Sequence, residues 1–379
     1  MSLPEVEPIH LSRVEAIALS VPLATPLPAS FGAMDARSTL LVRLEDREGA
    51  VGWGEIWCNF PTFGNLHKAR LAERIVGPLL LETPARPGVV GAALERRLHA
   101  LALQTGEFGP IAQVIGGLDM ALWDLAARRA CVPLRVLLGA TADDVPAYAS
   151  AINPTGTVET VRAARAAGHR AFKVKVGFGR ERDLRNVADV TDDLRAGEAL
   201  MVDANQAWDA TTAREFAGHL SRSGVAWVEE PLPADAPHDD WRTVADAGCP
   251  VAAGENMRGG AAFDDALAAG WLAVAQPDAG KWGGVSGIVS VGRKARAAGR
   301  RFCPHHLGGA IGLVAAAHAL AAVGGDGLLE MDVNDNALRT ALAGPLPAVV
   351  EGRWPLPSGP GLGVEPDLEA VAEWIRPAA

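Results

Sequence analysis

The chain has 379 residues, 49% of them apolar and 21% charged, a composition that excludes global disorder. Its 35 basic and 45 acidic residues give a net charge of −10, and no basic stripe stands out, which argues against nucleic acid as a partner. The length suits two domains, or one barrel with an addition.

In chain order, the first 20 residues carry Glu5 and Glu7 and lack a basic stretch before an apolar core, so no secretory signal is read there. Residues 13–22 read as a strand and 39–45 (TLLVRLE) as a second. The DREG turn at 46–49 leads into a third at 51–55. Between the first two lies a Pro-, Ala- and Gly-rich segment, 22–35, expected as a loop. Residues 67–81, 88–104 and 110–130 read as helices. The last has Ile111, Val114, Ile115, Leu118, Leu122 and Leu125 at helical spacing. Strands followed by helices make residues 1–135 an α+β module.

From about Pro146 the rhythm changes. The segments PAYASAI, AFKVKV, ALMVDA, VAWVEE, PVAAGE, LAVAQPD, RRFCPHH and GLLEMD alternate with Ala/Arg-rich helical stretches of roughly 10–16 residues. Eight such units over about 200 residues predict an α/β fold, a (β/α)7–8 barrel of the TIM type, over 136–345. Residues 346–379 form a C-terminal segment that returns to the first module. No GxGxxG or GxxxxGK[ST] motif supports a nucleotide-binding sheet. The longest apolar run, 313–323, contains His318 and is too short for the ~20 residues of a membrane span. A soluble, cytoplasmic protein with no membrane partner is expected. Cys58, Cys131, Cys249 and Cys303 form no CxxC pair and read as reduced thiols.

The barrel segments end on polar residues. Steps from Lys175 through Asp203, Glu229, Glu255, Asp278 and His305 to Glu330 are 28, 26, 26, 23, 27 and 25 residues. One βα unit has about that length, so these side chains recur at one height around the barrel's C-terminal mouth, where barrel active sites lie. Asp203, Glu229 and Glu255 fall on adjacent strands and repel one another unless a cation sits between them. Oxygen-only ligands suit Mg²⁺ better than zinc. Lys173 and Lys175 share one side of their strand, and each ammonium should depress the other's pKa. Asp278, one strand before His305, can orient that imidazole. A cation flanked by two bases suits abstraction of a proton α to a carboxylate.

These residues resemble the enolase superfamily, in particular the mandelate racemase / muconate lactonizing enzyme family and its mandelate racemase subgroup. The motifs are KVK at 173–175, DANQAW at 203–208, EEP at 229–231, GEN at 254–256, PDAGKWGGVSG at 277–287, PHH at 304–306 and LLE at 328–330. VGWGE at 51–55 and GGLDMALWDLAAR at 116–128 resemble the family's capping domain. The resemblance implies Mg²⁺ held by Asp203, Glu229 and Glu255. Lys175, tuned by Lys173, is then one acid/base, and His305 with Asp278 the other. Asn205, Glu330, Trp57 and Trp282 are the candidate substrate-binding residues. Glu229 is preferred to Glu230, which should point to the strand's other face. His306 is an adjacent residue, and Lys281 belongs to a turn and reads as structural. Cap segments 22–35 and 56–66, with Phe31, Met34, Trp57, Phe60 and Phe63, would cover the site. Arg37, Asn59, His67 and Lys68 are the nearest polar candidates for the far end of a sugar acid.

The implied partner is a small carboxylate, an acid sugar or related 2-hydroxy acid, and self-association into a homo-oligomer is implied by relatives. Dehydration of an acid sugar leads. Racemisation or epimerisation and sugar-lactone cycloisomerisation are the alternatives, with a non-catalytic barrel a remote one. A zinc amidohydrolase-like barrel would need an HxH pair on its first strand, which PAYASAI lacks.

Overall fold

The computed structural model describes residues 3–29 and 32–377; Phe31 lies outside them. The chain opens with β1 (Leu11–Ala29), β2 (Gly32–Asp46) and β3 (Val51–Trp57), an antiparallel meander. The β2–β3 turn closes because Asp46 Oδ1 accepts from the backbone N–H of Glu48 at 2.9 Å and of Ala50 at 2.8 Å. Segment 22–35 is not the loop the Pro and Gly content suggested. β1 and β2 continue as a hairpin past Pro22, pairing Leu27 with Met34 after a register shift that takes up the residues between.

Four helices cover this sheet: α1 (Gly64–Leu71), α2 (Gly77–Glu82), α3 (Val90–Thr105) and α4 (Phe108–Arg129). α4 packs tightly on β3, since a Cβ at Gly54 would lie 2.1 Å from the Gly117 carbonyl oxygen. A short α5 (Leu134–Leu137) leads to the barrel.

The barrel alternates β4 (Asp144–Ile152), α6 (Thr157–Ala166), β5 (Ala171–Lys175), α7 (Arg180–Asp193), β6 (Ala199–Asp203), α8 (Ala210–Arg222), β7 (Val228–Glu229), α9 (His238–Ala245), β8 (Val251–Ala253), α10 (Gly260–Ala269), β9 (Leu272–Ala275), α11 (Gly284–Ala297), β10 (Arg301–Phe302), α12 (Ala310–Val323) and β11 (Leu329–Asp332). The eight strands are those the apolar segments predicted, all parallel, in the order β10-β9-β8-β7-β6-β5-β4-β11. β11 is followed by a four-residue helix, α13 (Ala337–Thr340), so among the described residues the eighth unit lacks a full covering helix. No ladder joins β10 to β11. That seam closes through the Leu328 N–H, which donates to Cys303 Sγ at 3.3 Å. Next, β12 (Arg353–Pro355) adds antiparallel to β4, and β13 (Ile375–Arg376) adds to β1 as the fourth strand of the first sheet.

Tyr148, Met201, Trp227, Val274 and Cys303 fill the barrel's interior floor, with Tyr148 and Trp227 edge-to-face at 5.7 Å. The floor is therefore plugged, and the barrel opens at its C-terminal mouth, under the first sheet. Among the described residues no helix is long and apolar enough to cross a membrane.

Candidate active site

Strand register sets the polar residues level. Lys175 pairs with Asp203, and Asp203 with Glu229. Above them lies a cavity of about 350 Å³ lined by Lys175, Asp203, Asn205, Glu255, His305 and Glu330. Lys281, Trp57, Phe60, Met34 and Arg37 also line it. Six non-glycine described residues have positive φ, and four of them (Ala151, Asn205, Gln206 and Glu230) stand at these strand ends. Strained backbone held in place by its surroundings is typical of functional sites.

Lys173 is buried beneath the cavity. Its ammonium donates to Glu229 Oε2 and Glu330 Oε1, each at 2.7 Å, and lies 3.7 Å from Asp203. Burial pulls its pKa down, but Glu229 and Glu330 outweigh it and hold the group well above the ordinary lysine range. The mutual depression expected of the pair therefore holds only for Lys175, whose pKa is lowered by burial first and by Lys173 to a smaller degree. Both side chains share a strand face, but Lys173 sits deeper, among carboxylates.

His305 Nδ1 donates to Asp278 Oδ2 at 2.6 Å, and its Nε2 lies 3.0 Å from Glu255 Oε2. Asp278 is fixed in turn by the Gly280 N–H at 2.7 Å. Burial opposes a charged imidazole, but Glu255, Glu330 and Asp278 prevail and raise the His305 pKa well above its usual value. His306 faces elsewhere, its Nε2 on the Gly309 carbonyl at 2.8 Å. Glu330 accepts from Ser150 Oγ and from the His306 N–H. Asn205 donates to Asp203 from both its backbone and its side-chain amide.

Three expectations need correction. Glu230 does not turn away. With φ at 37° it is folded back and buried, and Asn256 Nδ2 donates to both its oxygens, at 3.0 and 2.8 Å. Lys281 is no remote turn residue: its ammonium sits in the cavity, 2.6 Å from Glu255 Oε2 and 4.5 Å from the centre of the Trp57 ring. Trp282 leaves the cavity; its indole N–H donates to Glu95 at 3.2 Å in a separate groove against α3, because the turn after Asp278 points it outward. Of the polar cap candidates, Arg37 lines the cavity, whereas Asn59 and Lys68 are bound to backbone carbonyls and His67 pairs with Glu107. Cys303 is buried beside the site, its thiol pushed up to about 12 by burial, and is no nucleophile.

Five buried carboxylates (Asp203, Glu229, Glu230, Asp278 and Glu330) and the half-buried Glu255 thus face Lys173, Lys175, Lys281 and His305. Burial pushes Asp203, Glu229 and Glu230 upward, and their carboxylate neighbours add to the shift. Such an excess of negative charge is the chemistry that a hard divalent cation relieves. Among the described residues no three His, Cys, Asp or Glu side chains already converge as a cage. Glu229 is drawn to Lys173 and Gln276, and Glu255 to Lys281 and His305. A cation here would have to compete with these ammonium and imidazole partners.

Residues 13–139 match the mandelate racemase / muconate lactonizing enzyme N-terminal domain, and residues 156–371 the enolase C-terminal domain-like family. The chain belongs to the mandelate racemase / muconate lactonizing enzyme family. It is an enolase superfamily enzyme. Among members of the family, D-galactarolactone cycloisomerase of Agrobacterium fabrum is 32% identical over 94% of this chain and 96% of its own length. L-talarate/galactarate dehydratase of Salmonella typhimurium is 28% identical over 77% and 76%. A mandelate racemase/muconate lactonizing enzyme structure from Bordetella bronchiseptica superposes with a TM-score of 0.90 at 48% identity, covering 97% of this chain and 99% of that one. A Bradyrhizobium enolase complexed with magnesium and mandelic acid superposes at 0.85 and 28% identity, covering 98% and 99%.

Proposed function

We propose that the enzyme removes the proton α to the carboxylate of an acid sugar, with Mg²⁺ at the barrel mouth, and then eliminates water. The observation that carries this reading is the placement of Lys175 and the His305–Asp278 pair. They stand across the mouth from each other, with β4 and β11 between them on one side and β6 to β9 on the other. Asp203, Glu229 and Glu255 are the ligands we assign to the metal, which would supply positive charge to a substrate carboxylate gaining electron density. Glu229 and Glu255 must exchange their present partners to do so. Burial lowers the Lys175 pKa, which favours the neutral amine needed to accept the α-proton. Asp278 fixes the His305 ring by its Nδ1–H, leaving Nε2 to hand a proton to the leaving hydroxyl. Lys173 holds Glu229 and Glu330 in place from below. Asn205, Glu330 and Trp57 line the cavity and would contact the substrate. In this reading residues 1–135 cap a barrel of 136–345, and 346–379 return to the cap, which the pairing of β13 with β1 supports.

A second reading, ring opening of a sugar lactone by the same residues, is favoured by the 32% identity to a galactarolactone cycloisomerase over nearly the whole chain. Incubation with acid sugars and their lactones in D₂O, with Mg²⁺ and with chelator, separates these readings. A 2-keto-3-deoxy product with deuterium at C3 supports dehydration, and an unsaturated or rearranged acid without loss of water supports ring opening. Exchange without either leaves racemisation, and no exchange with any acid sugar refutes the proposal.

A further inference from the structure

Lys281 is the cation of the cavity that the chemistry above does not use. It stands in the turn after β9 and lines the cavity beside Glu255, Asn256 and Trp57. Its ammonium lies 2.6 Å from Glu255 Oε2, 3.2 Å from Asn256 Oδ1 and 4.5 Å from the centre of the Trp57 ring. Asn256 cannot turn that oxygen away cheaply, because its Nδ2 donates to both oxygens of Glu230. Trp57 is tied to the same turn, its backbone N–H donating to the Gly280 carbonyl at 3.2 Å.

The cations that hold the carboxylates differ in how firmly they are themselves held. Lys173 lies within 3.7 Å of Asp203, Glu229 and Glu330 together. The His305 ring is tied to Asp278 by Nδ1 as well as to Glu255 by Nε2. Lys281 pairs with Glu255, and its other two contacts, an amide oxygen and an aromatic face, are uncharged. A flexible lysine stem lets an ammonium move between such partners, and an indole face is a fitting place for it. A metal ion bound by Glu255 would share that carboxylate with Lys281, and two positive charges so close repel.

We propose that Lys281 is a built-in counter-ion that sets how tightly the site takes a hard divalent cation. Its ammonium competes with the cation for Glu255, and the Trp57 face and Asn256 Oδ1 keep it when it yields. The competition holds metal binding in a reversible range. Without a metal, the ammonium spares Glu255 an uncompensated charge among the other carboxylates. Because Trp57 belongs to the cap, cation affinity also depends on the cap being seated.

This inference rests on the assignment of Glu255 to the metal, and the experiment keeps the two apart. After chelation and dialysis, Mg²⁺ is titrated by isothermal calorimetry into wild type, Lys281→Met, Lys281→Arg, Trp57→Leu and the Lys281→Met/Trp57→Leu double variant. Melting temperatures are recorded with chelator and with saturating Mg²⁺. Lys281→Met lowers the Kd for Mg²⁺ roughly 10-fold by removing the competing charge. It melts below wild type in chelator and gains more from Mg²⁺ than wild type does. Lys281→Arg keeps the charge and stays near the wild-type Kd. Trp57→Leu raises the Kd roughly 3-fold, because the displaced ammonium loses its aromatic partner. That rise disappears in the Lys281→Met background, a coupling that a merely structural tryptophan would not show. If Lys281→Met does not fold, Lys281→Gln carries the same expectation. A Kd that is unchanged or raised in the neutral variant makes Lys281 a prop for Glu255 and overturns the inference. A Trp57→Leu effect that persists without Lys281 overturns it as well. Uptake of Mg²⁺ by Lys281→Met but not by wild type supports it in its extreme form. Absence of uptake in every variant refutes the metal assignment itself, and the inference falls with it.

Discussion

At the residue scale the site is asymmetric. Burial lowers the Lys175 pKa, whereas Glu255, Glu330 and Asp278 raise that of His305. Two bases on opposite sides of one substrate carbon act on opposite faces of it. His305→Asn should therefore abolish exchange of one enantiomer's α-proton, by roughly 10²–10⁴-fold, and leave Lys175-facing exchange in place. Lys175→Ala should do the reverse, read by ¹H NMR in D₂O with each enantiomer of a 2-hydroxy acid. Persistence of both exchanges at wild-type rate in either variant means the bases are misassigned. The spacing of one residue per βα unit made Lys175, Asp203, Glu229, Glu255, Asp278, His305 and Glu330 stand out in the sequence; strand register levels the first three, and the others follow just past the ends of their strands or, for Glu330, within β11. The directions of Lys281, Glu230 and Trp282 depend on the turns after the strands, and at Glu230 a positive φ turns the side chain back.

At the scale of elements, α12 is the helix most nearly enclosed by the fold among those of the barrel. Nearly all its side chains are buried, and His318 lies among them, neutral, with Nδ1 accepting the Arg135 N–H and Nε2 donating to the Leu362 carbonyl, both at 3.1 Å. Burial lowers its pKa from 6.5 to about 4. The folded value is below the unfolded one, so this contribution is complete above pH 6.5 and is lost as pH falls toward 4. Between pH 7.5 and pH 5 wild type should lose about 2 kcal/mol that His318→Gln does not lose. His169, also lowered to about 4, acts in the same direction in both proteins, so the difference between their urea midpoints isolates His318. Equal pH dependence of the two would mean that His318 is charged in the fold. The barrel strands were readable because parallel strands buried on both faces are continuous apolar runs. The hairpin beyond Pro22 was not, because its pairing comes from the partner strand across a register shift and not from local propensity.

At the scale of the whole molecule, the active site exists only while the first sheet sits on the barrel, and polar contacts help to fix that arrangement. Arg37 meets Asp332, the Trp57 N–H donates to the Gly280 carbonyl at 3.2 Å, and Asn59 donates to the Leu307 carbonyl at 2.7 Å. A further buried link is Glu55 on β3, 2% exposed. Its carboxylate accepts the hydroxyl of Thr39 at 2.8 Å, the N–H of Gly309 and that of Gly312 at 2.8 Å, at the start of α12. A carboxylate there meets the positive end of the helix. Gly312 makes room for this, since a Cβ on it would lie 2.4 Å from His306 Cε1. The VGWGE motif announced a cap, but no local pattern says that its glutamate reaches 254 residues along the chain. Glu55→Gln keeps the shape and puts an amide N–H against backbone donors. It should cost about 2–3 kcal/mol, the worth of hydrogen bonds to a charged group. Because that loss falls on the contact between the two parts, urea unfolding followed by tryptophan fluorescence and by far-UV circular dichroism should separate into two transitions, where wild type gives one. At urea concentrations between them, α-proton exchange should vanish while barrel helicity remains. A single transition at the wild-type midpoint would show that the apolar contact between cap and barrel holds the site without Glu55.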